Sequence, residues 1–242
     1  MENKFGGRKV MIQALVGSHN YNLNTPQSDM DWKFFVSPTF DDLYNGVVFS
    51  DASQAETEDY SAHDIRQFSN LIWKANLNFV EVLYSRNISY NPVFAGVFKI
   101  RDTFATMNMP AFFNATYGMH KQKMGDFHKG TAKTNILVET FGYDTKQALH
   151  ALRLLYVLSR FVEFRNVGQS MWFENDEPIR ATLLDLKAGK FTETEFLSLV
   201  DVWHKNNWSN VQKVFLDEYT PDLEMKSVLD RFVKSIVKDN LK

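Results

Sequence analysis

The sequence predicts a chain in two parts, a strand-bearing α/β or α+β unit followed by a helical one. Three observations carry this. The 242 residues, 44% hydrophobic and 23% charged, suffice for one large or two small globular domains with a sizeable core. Before residue 92, short apolar runs are punctuated by Gly, Pro and Asn-Gly signals, the pattern of strands and turns. After Pro92 the strand signals fade and apolar residues recur at helical spacing. The shift sets the expected boundary: a first domain of residues 1–91 and a helical domain of residues 92–242, with a cleft between them.

Taken in order, Lys9 to Val16 is short and mostly apolar, a buried strand that Gly17 stops. Asp31 to Val36 is the second strand, ended by Ser37-Pro38. Thr39 to Tyr44 makes a helical turn and Asn45-Gly46 a tight one. Gly46 to Phe49 is expected as a third strand. Gln54 to Tyr60, with the acidic cluster Glu56, Glu58 and Asp59, is expected as a fourth. Ser61 and Asp64 have capping-box spacing, with Asp in place of the usual Glu. The helical pattern Ile65, Phe68, Leu71, Ile72, Phe79, Val80, Leu83 follows.

In the second part, Pro92 to Met107 and Pro110 to Met124 each read as a helix. A polar, glycine-punctuated connection from Gly125 to Gly142 leads to the clearest helix, Asp144 to Phe164. Pro178 to Leu186 is a shorter helix, and the capping box Thr192-x-x-Glu195 opens another through Trp203. Thr220-Pro221 places a cap residue before a helix-starting proline, ahead of a last amphipathic helix. There is no internal repeat and no low-complexity tract.

Composition excludes several classes. The formal net charge of −2 gives no chain-wide basic field, so a nucleic-acid site would have to be a local patch. With no cysteine, disulfides and thiolate-zinc sites are ruled out. The N-terminal Met1-Glu2-Asn3-Lys4 lacks a signal-peptide run, and no apolar run reaches membrane-span length. A soluble, cytoplasmic protein with no membrane partner is expected.

The stretch from Val16 to Asp31 concentrates the chemistry. A strand ends in Gly17-Ser18, a polar loop follows, and Asp29 and Asp31 open the next strand. A Gly-Ser turn frees backbone N–H groups to face an anion, and the hydroxyl adds a donor. In an extended strand, residues two apart point to one side, so Asp29 and Asp31 can converge on a metal ion. Oxygen-only ligands favour magnesium or manganese. Phosphoryl-type transfer needs such a phosphate cradle with charge-neutralising metal. The bland alternative is a solvated turn, the usual fate of an isolated Asp-x-Asp.

The string Gly17-Ser18-x-x-Tyr21-x-Leu23-x-Thr25-Pro26-x-Ser28-Asp29-x-Asp31 resembles the active-site signature of the DNA-polymerase-β-like nucleotidyltransferases. It resembles the group of predicted nucleotidyltransferases that includes the RNA-ligase-associated RlaP proteins and the YcgL-like proteins. Asp64-Ile65-Arg66-Gln67-Phe68 with Asn78 to Leu83, and Phe141 to Leu155, are further islands of likeness within about residues 10 to 200. One departure stands out: the group's glycine after the tyrosine is Asn22 here, a residue that tolerates positive φ.

The resemblance implies an α+β protein: a small mixed sheet with flanking helices, then an all-α domain that closes the cleft. It implies two Mg2+ (or Mn2+) ions held by three carboxylates: Asp29, Asp31 and a third that register assigns to Asp59, with Glu58 as the fallback. Gly17 and Ser18 would hold the terminal phosphates of a nucleoside triphosphate, taken as ATP. The shared activity is transfer of a nucleoside monophosphate to an acceptor hydroxyl with release of pyrophosphate. RNA is the first candidate acceptor, with a small molecule or a protein side chain left open.

Two further groups belong to this expectation. His120, Lys121, Lys123, His128, Lys129 and Lys133 form a basic segment that either meets phosphate or lies solvated. Lys121 is the candidate phosphate contact. Lys146, His150 and Arg153 share one helix face and are expected to bind nucleotide, while Asp144 is placed as an N-cap. Trp172, Trp203 and Trp208 are expected in packing. The competing hypothesis is a non-catalytic nucleotide-binding or interaction module, of the toxin-neutralising kind, on the same fold.

Overall fold

A computed structural model describes residues 4–54, 58–132, 134–174 and 176–240. It is an α+β protein built on a five-stranded mixed sheet. The strands are β1 (Val10–Val16), β2 (Met30–Val36), β3 (Ser50–Gln54), β4 (Glu58–Asp64) and β5 (Ile88–Tyr90), in the order β3-β4-β2-β1-β5. Only β2 and β4 are parallel; the other neighbouring pairs are antiparallel.

Register sorts the residues onto two faces. Asp31 lies opposite Asp59, Lys33 opposite Ser61 and Phe35 opposite His63 on the parallel pair. Across β1, Asp31 faces Val16, Lys33 faces Ala14 and Phe35 faces Ile12. Side chains alternate along a strand, so these residues share one face and Trp32, Phe34 and Val36 the other. On that second face Phe5, Phe34, Val36 and Ala62 form a buried cluster, joined by Trp32, Phe49 and Tyr60. Lys4 lies over the Tyr60 ring at 3.9 Å.

The helices are α1 (Ser18–Tyr21), α2 (Phe40–Tyr44), α3 (Phe68–Trp73), α4 (Leu77–Val80), α5 (Ala95–Lys99), α6 (Arg101–Thr106), α7 (Met109–Asp126), α8 (Asn135–Phe141), α9 (Thr145–Phe164), α10 (Val167–Met171), α11 (Glu177–Lys187), α12 (Glu193–Gln212) and α13 (Leu223–Asp239). Two compact units result: residues 1–108 with 221–242, and residues 109–220. The division thus falls at Asn108, not near Pro92, and the last helix rejoins the first unit. There Phe232 meets Phe94 edge-on at 5.2 Å, and Ser69 donates to Asp230 at 2.6 Å. In the second unit α9 is the axis, buried along most of its length and packed by α7, α10, α11 and α12.

Several elements differ from expectation for identifiable reasons. The third strand is Ser50–Gln54 rather than Gly46 to Phe49. Its polar sequence leaves no apolar signal, because an edge strand needs only backbone pairing to β4. The fourth begins at Glu58, and Glu56 lies outside the described residues. Ser61 sits inside β4 and caps nothing. Asp64 caps alone, its Oδ1 accepting from the Arg66 N–H at 2.9 Å. The helical pattern after it is broken at Ala75, whose φ of 51° follows the end of α3 before Asn76 caps α4. A 3₁₀ turn, Glu81–Tyr84, completes the run. The connection from Gly125 to Gly142 contains α8, with Gly142 as its left-handed C-cap. The last helix is capped by Asp222, not Thr220.

Candidate active site

The site is assembled in the first unit at the end of the sheet where β2 and β4 begin. Gly17 leaves β1 at φ 72°, ψ −149°, a conformation open essentially only to glycine. Its missing side chain is also a spatial necessity: a Cβ there would fall on Asp31 Oδ2 and 3.2 Å from Asp31 Cγ. The turn therefore lets the carboxylate lie flat against the backbone.

After Gly17 the loop is held by its own polar atoms. The N–H groups of Asn20 and Tyr21 donate to the Gly17 carbonyl at 3.0 and 3.1 Å. Asn22 adopts the left-handed conformation (φ 61°), so the glycine that the likeness calls for is replaced without loss of the turn. Thr25 to Ser28 closes on itself: the Thr25 N–H donates to Ser28 Oγ and the Ser28 N–H to the Thr25 carbonyl, each at 2.9 Å. Ser28 is thus a turn residue. His19 Nε2 reaches the Ser28 carbonyl at 3.3 Å and steadies the loop.

Parallel pairing puts Asp31 and Asp59 directly opposite each other on one face. Both line a cleft of about 360 Å³ together with Gly17, Lys33, Ser61 and Glu81. Glu58, the fallback, is on the opposite face by alternation and lines a separate pocket with Trp32 and Phe34. Asp29 precedes β2 by one residue and is not among the cleft-lining side chains.

Two residues here escaped sequence reasoning. Glu81 is only 3% exposed, and its Oε2 accepts the Gly17 N–H at 3.1 Å. The donor expected to face phosphate is bonded to a protein carboxylate. Lys33, 8% exposed, donates from Nζ to the Asn78 carbonyl at 2.7 Å and lies 4.5 Å from the centre of the Phe79 ring. Burial lowers its pKa, while Glu81 and Asp31 oppose that shift. The same lysine, after burial, helps lower the pKa of His63 behind it. The signal for both was available: Lys33 is two residues from Asp31, and Glu81 is an acid inside the apolar run Val80 to Leu83.

The donor chemistry suits a hard cation. Asp31 and Asp59 supply oxygen only, from one face, beside a backbone turn. Among the described residues, no three His, Asp or Glu side chains form a ready-made cage. Magnesium is commonly held by one or two carboxylates plus waters and substrate phosphates, so two facing carboxylates fit it.

The remaining expected residues lie in the second unit. Lys146, His150 and Arg153 gather on α9, and burial drives His150 well below its ordinary pKa. Arg153, Lys123, Lys146 and Lys187 push it further the same way, so three helices bring cations around one neutral imidazole. Lys121 is not of this group; it is exposed, with Nζ 5.3 Å from the centre of the Tyr117 ring. His128 and Lys129 face carboxylates, Glu193 at 3.2 Å and Asp126 at 2.7 Å. Lys133 lies outside the described residues. His120 is buried, donates from Nδ1 to the Ala151 carbonyl at 3.0 Å and has its pKa lowered to about 4 by burial. Asp144 is the N-cap of α9, as expected, accepting from the Lys146 and Gln147 N–H groups at 3.0 Å. Trp203 is buried, its Nε1–H bonded to Ser159 Oγ at 3.1 Å.

The class of protein is therefore an α+β protein with a carboxylate-lined cleft beside a Gly-Ser turn, of the polymerase-β-like nucleotidyltransferase kind. The family model described as "RlaP: RNA repair pathway DNA polymerase beta family" matches residues 2–222, and the chain belongs to that family. The match ends just before α13. No curated protein matches the chain. Among the described residues, no helix is long and apolar enough to cross a membrane.

Proposed function

We propose that this protein transfers a nucleoside monophosphate from a nucleoside triphosphate, ATP first, to an acceptor hydroxyl, with an RNA end as the leading acceptor. Asp31 opposite Asp59 on the parallel strands, in the cleft that Gly17 borders, is the observation that carries the reading. Asp31 and Asp59 would hold Mg2+ or Mn2+, with Asp29, one residue ahead of β2, as a further carboxylate. Bound there, the metal would neutralise charge developing on the phosphates.

The chain's own residues have separable tasks in this reading. The Gly17 turn keeps side-chain bulk away from the Asp31 carboxylate. Ser18 at the start of α1 offers its hydroxyl to phosphate. Lys33 holds its amino group inside the cleft, where it donates to the Asn78 carbonyl. In the second unit, Lys146, His150 and Arg153, joined by Lys123 and Lys187, make a basic face suited to phosphate. Lys121 stands apart from them as an exposed phosphate contact.

Incubation with Mg2+ and labelled nucleoside triphosphates, with and without RNA, tests the reading. Transfer of label, and a nucleotide-dependent thermal shift lost in Asp31→Ala and Asp59→Ala, are expected. The absence of both transfer to any acceptor and a thermal shift would overturn it.

A further inference from the structure

Glu81 has no task in the transfer reaction as set out above, yet it is one of the most deeply buried acids of the chain. A carboxylate is costly to bury unless it is well partnered. It comes from a rigid support. The 3₁₀ turn Glu81–Tyr84 is buried throughout, and the Tyr84 hydroxyl donates to Asp102 at 2.6 Å. Ser85 Oγ then donates to the Leu15 carbonyl of β1 at 2.7 Å. The acid thus reaches Gly17 from an element already strapped to the strand that ends there.

Glu81 acts on two neighbours of Asp31. Its Oε2 accepts the Gly17 N–H at 3.1 Å, while Asp31 Oδ2 fills the space where Gly17 would carry a Cβ. Gly17 is gripped between two carboxylates. Glu81 also lines the cleft together with Lys33 and Asp31, and Lys33 is pinned there by the Asn78 carbonyl. Without Glu81 the turn would lose its anchor, and Lys33 would direct more of its charge at Asp31, where it competes with a cation.

We propose that Glu81 is a positioning residue of the cleft: it fixes the Gly17 turn against Asp31 and shares Lys33 with Asp31, so that the Asp31 carboxylate stays available to a divalent cation. The cation half of this inference rests on the function proposed above. The half concerning the turn does not.

Amide exchange of Gly17 by NMR and Mn2+ affinity by calorimetry test the two halves. In the wild-type protein the Gly17 amide is expected to exchange at least about tenfold more slowly than an unstructured reference. Glu81→Ala should abolish that protection and weaken Mn2+ binding about tenfold, the usual scale for an outer-sphere ligand of a metal site. Glu81→Gln keeps an acceptor oxygen but not the charge, so it should restore Gly17 protection and leave Mn2+ binding weak. A purely structural role would not split the two readouts. An unprotected Gly17 amide in the wild type overturns the proposal, as does Mn2+ affinity within twofold of wild type in both variants. If Glu81→Ala does not fold, the wild-type amide and the Glu81→Gln affinity decide. If the wild type binds no Mn2+, the metal reading falls, and Gly17 exchange still tests the anchor.

Discussion

Gly17→Ala is the sharpest single perturbation of the site. The backbone conformation there, φ 72° and ψ −149°, costs a residue with a Cβ about 1–3 kcal/mol. The new Cβ would meet Asp31 Oδ2, so Asp31 must leave its rotamer at about 0.5–1.5 kcal/mol more. A destabilisation of about 1.5–4.5 kcal/mol follows, with weakened Mn2+ binding because the displaced carboxylate is a proposed ligand. Gly46→Ala is the control. Gly46 also has positive φ, 66°, but a Cβ there meets nothing within 4 Å. That variant should show backbone strain alone, about 1–2 kcal/mol, and unchanged Mn2+ affinity. Urea melts give the loss, and native-state hydrogen exchange of residues 10–36 assigns it to the first unit. Gly17→Ala costing no more than Gly46→Ala, with Mn2+ affinity intact, would refute the collision with Asp31.

Three other outcomes are expected. Arg160 is buried, donates to the carbonyls of Trp172 (2.7 Å), Gln169 (2.9 Å) and Ser170 (3.3 Å), and pairs with Asp176. Arg160→Met should cost about 3–5 kcal/mol, read as a large fall in Tm, and a loss below 1 kcal/mol would contradict this anchoring. Asp144→Ala removes the acceptor for two first-turn N–H groups of α9 and should cost about 1–2 kcal/mol, with faster amide exchange at Lys146 and Gln147. His120 has a folded pKa of about 4, below the 6.5 of an unfolded histidine, so between those values the unfolded chain binds the extra proton. Stability is full above pH 6.5 and falls as pH drops towards 4, by on the order of 3 kcal/mol from this residue. His150 acts in the same direction. His120→Gln should flatten the stability–pH curve in that window, and an unchanged slope would assign the effect elsewhere.

What could be read ahead of the structure was set by how strongly each element must hide apolar surface. β1 and β2 are buried and apolar, so their limits came out nearly right, and with them the positions of Gly17 and Asp31. Asp59 was named from the family resemblance, with Glu58 as the fallback, and the parallel pairing that sets it opposite Asp31 could be seen only in the fold. Edge strands β3 and β5 hide little, and a three-residue strand such as Ile88–Tyr90 leaves no periodic trace. The break at Ala75 was hidden because alanine is a helix former, and only long-range packing sets its φ positive. Glu81 was absorbed into a helical pattern for the same reason: its meaning comes from Gly17, 64 positions away. On α9 the spacing placed Lys146, His150 and Arg153 on one face. Lys187 came from another helix and needed the fold to join them.

The return of α13 to the first unit makes that unit discontinuous, and this bears on how the chain is made. The Asp222 N–H donates to the Met107 carbonyl at 2.8 Å, so the two places where the chain leaves and re-enters the unit are neighbours. Residues 109–220 are in effect an insertion whose ends meet, the arrangement that tolerates excision and bridging by a short linker. On the ribosome the sheet and its carboxylates emerge before the insertion, but Phe94 and Ser69 wait for Phe232 and Asp230 until the whole insertion has been synthesised, on the order of ten seconds later. During that interval the insertion can fold on its own contiguous sequence, while the unit bearing the cleft stays unfinished. Its completion therefore comes after the synthesis of the insertion.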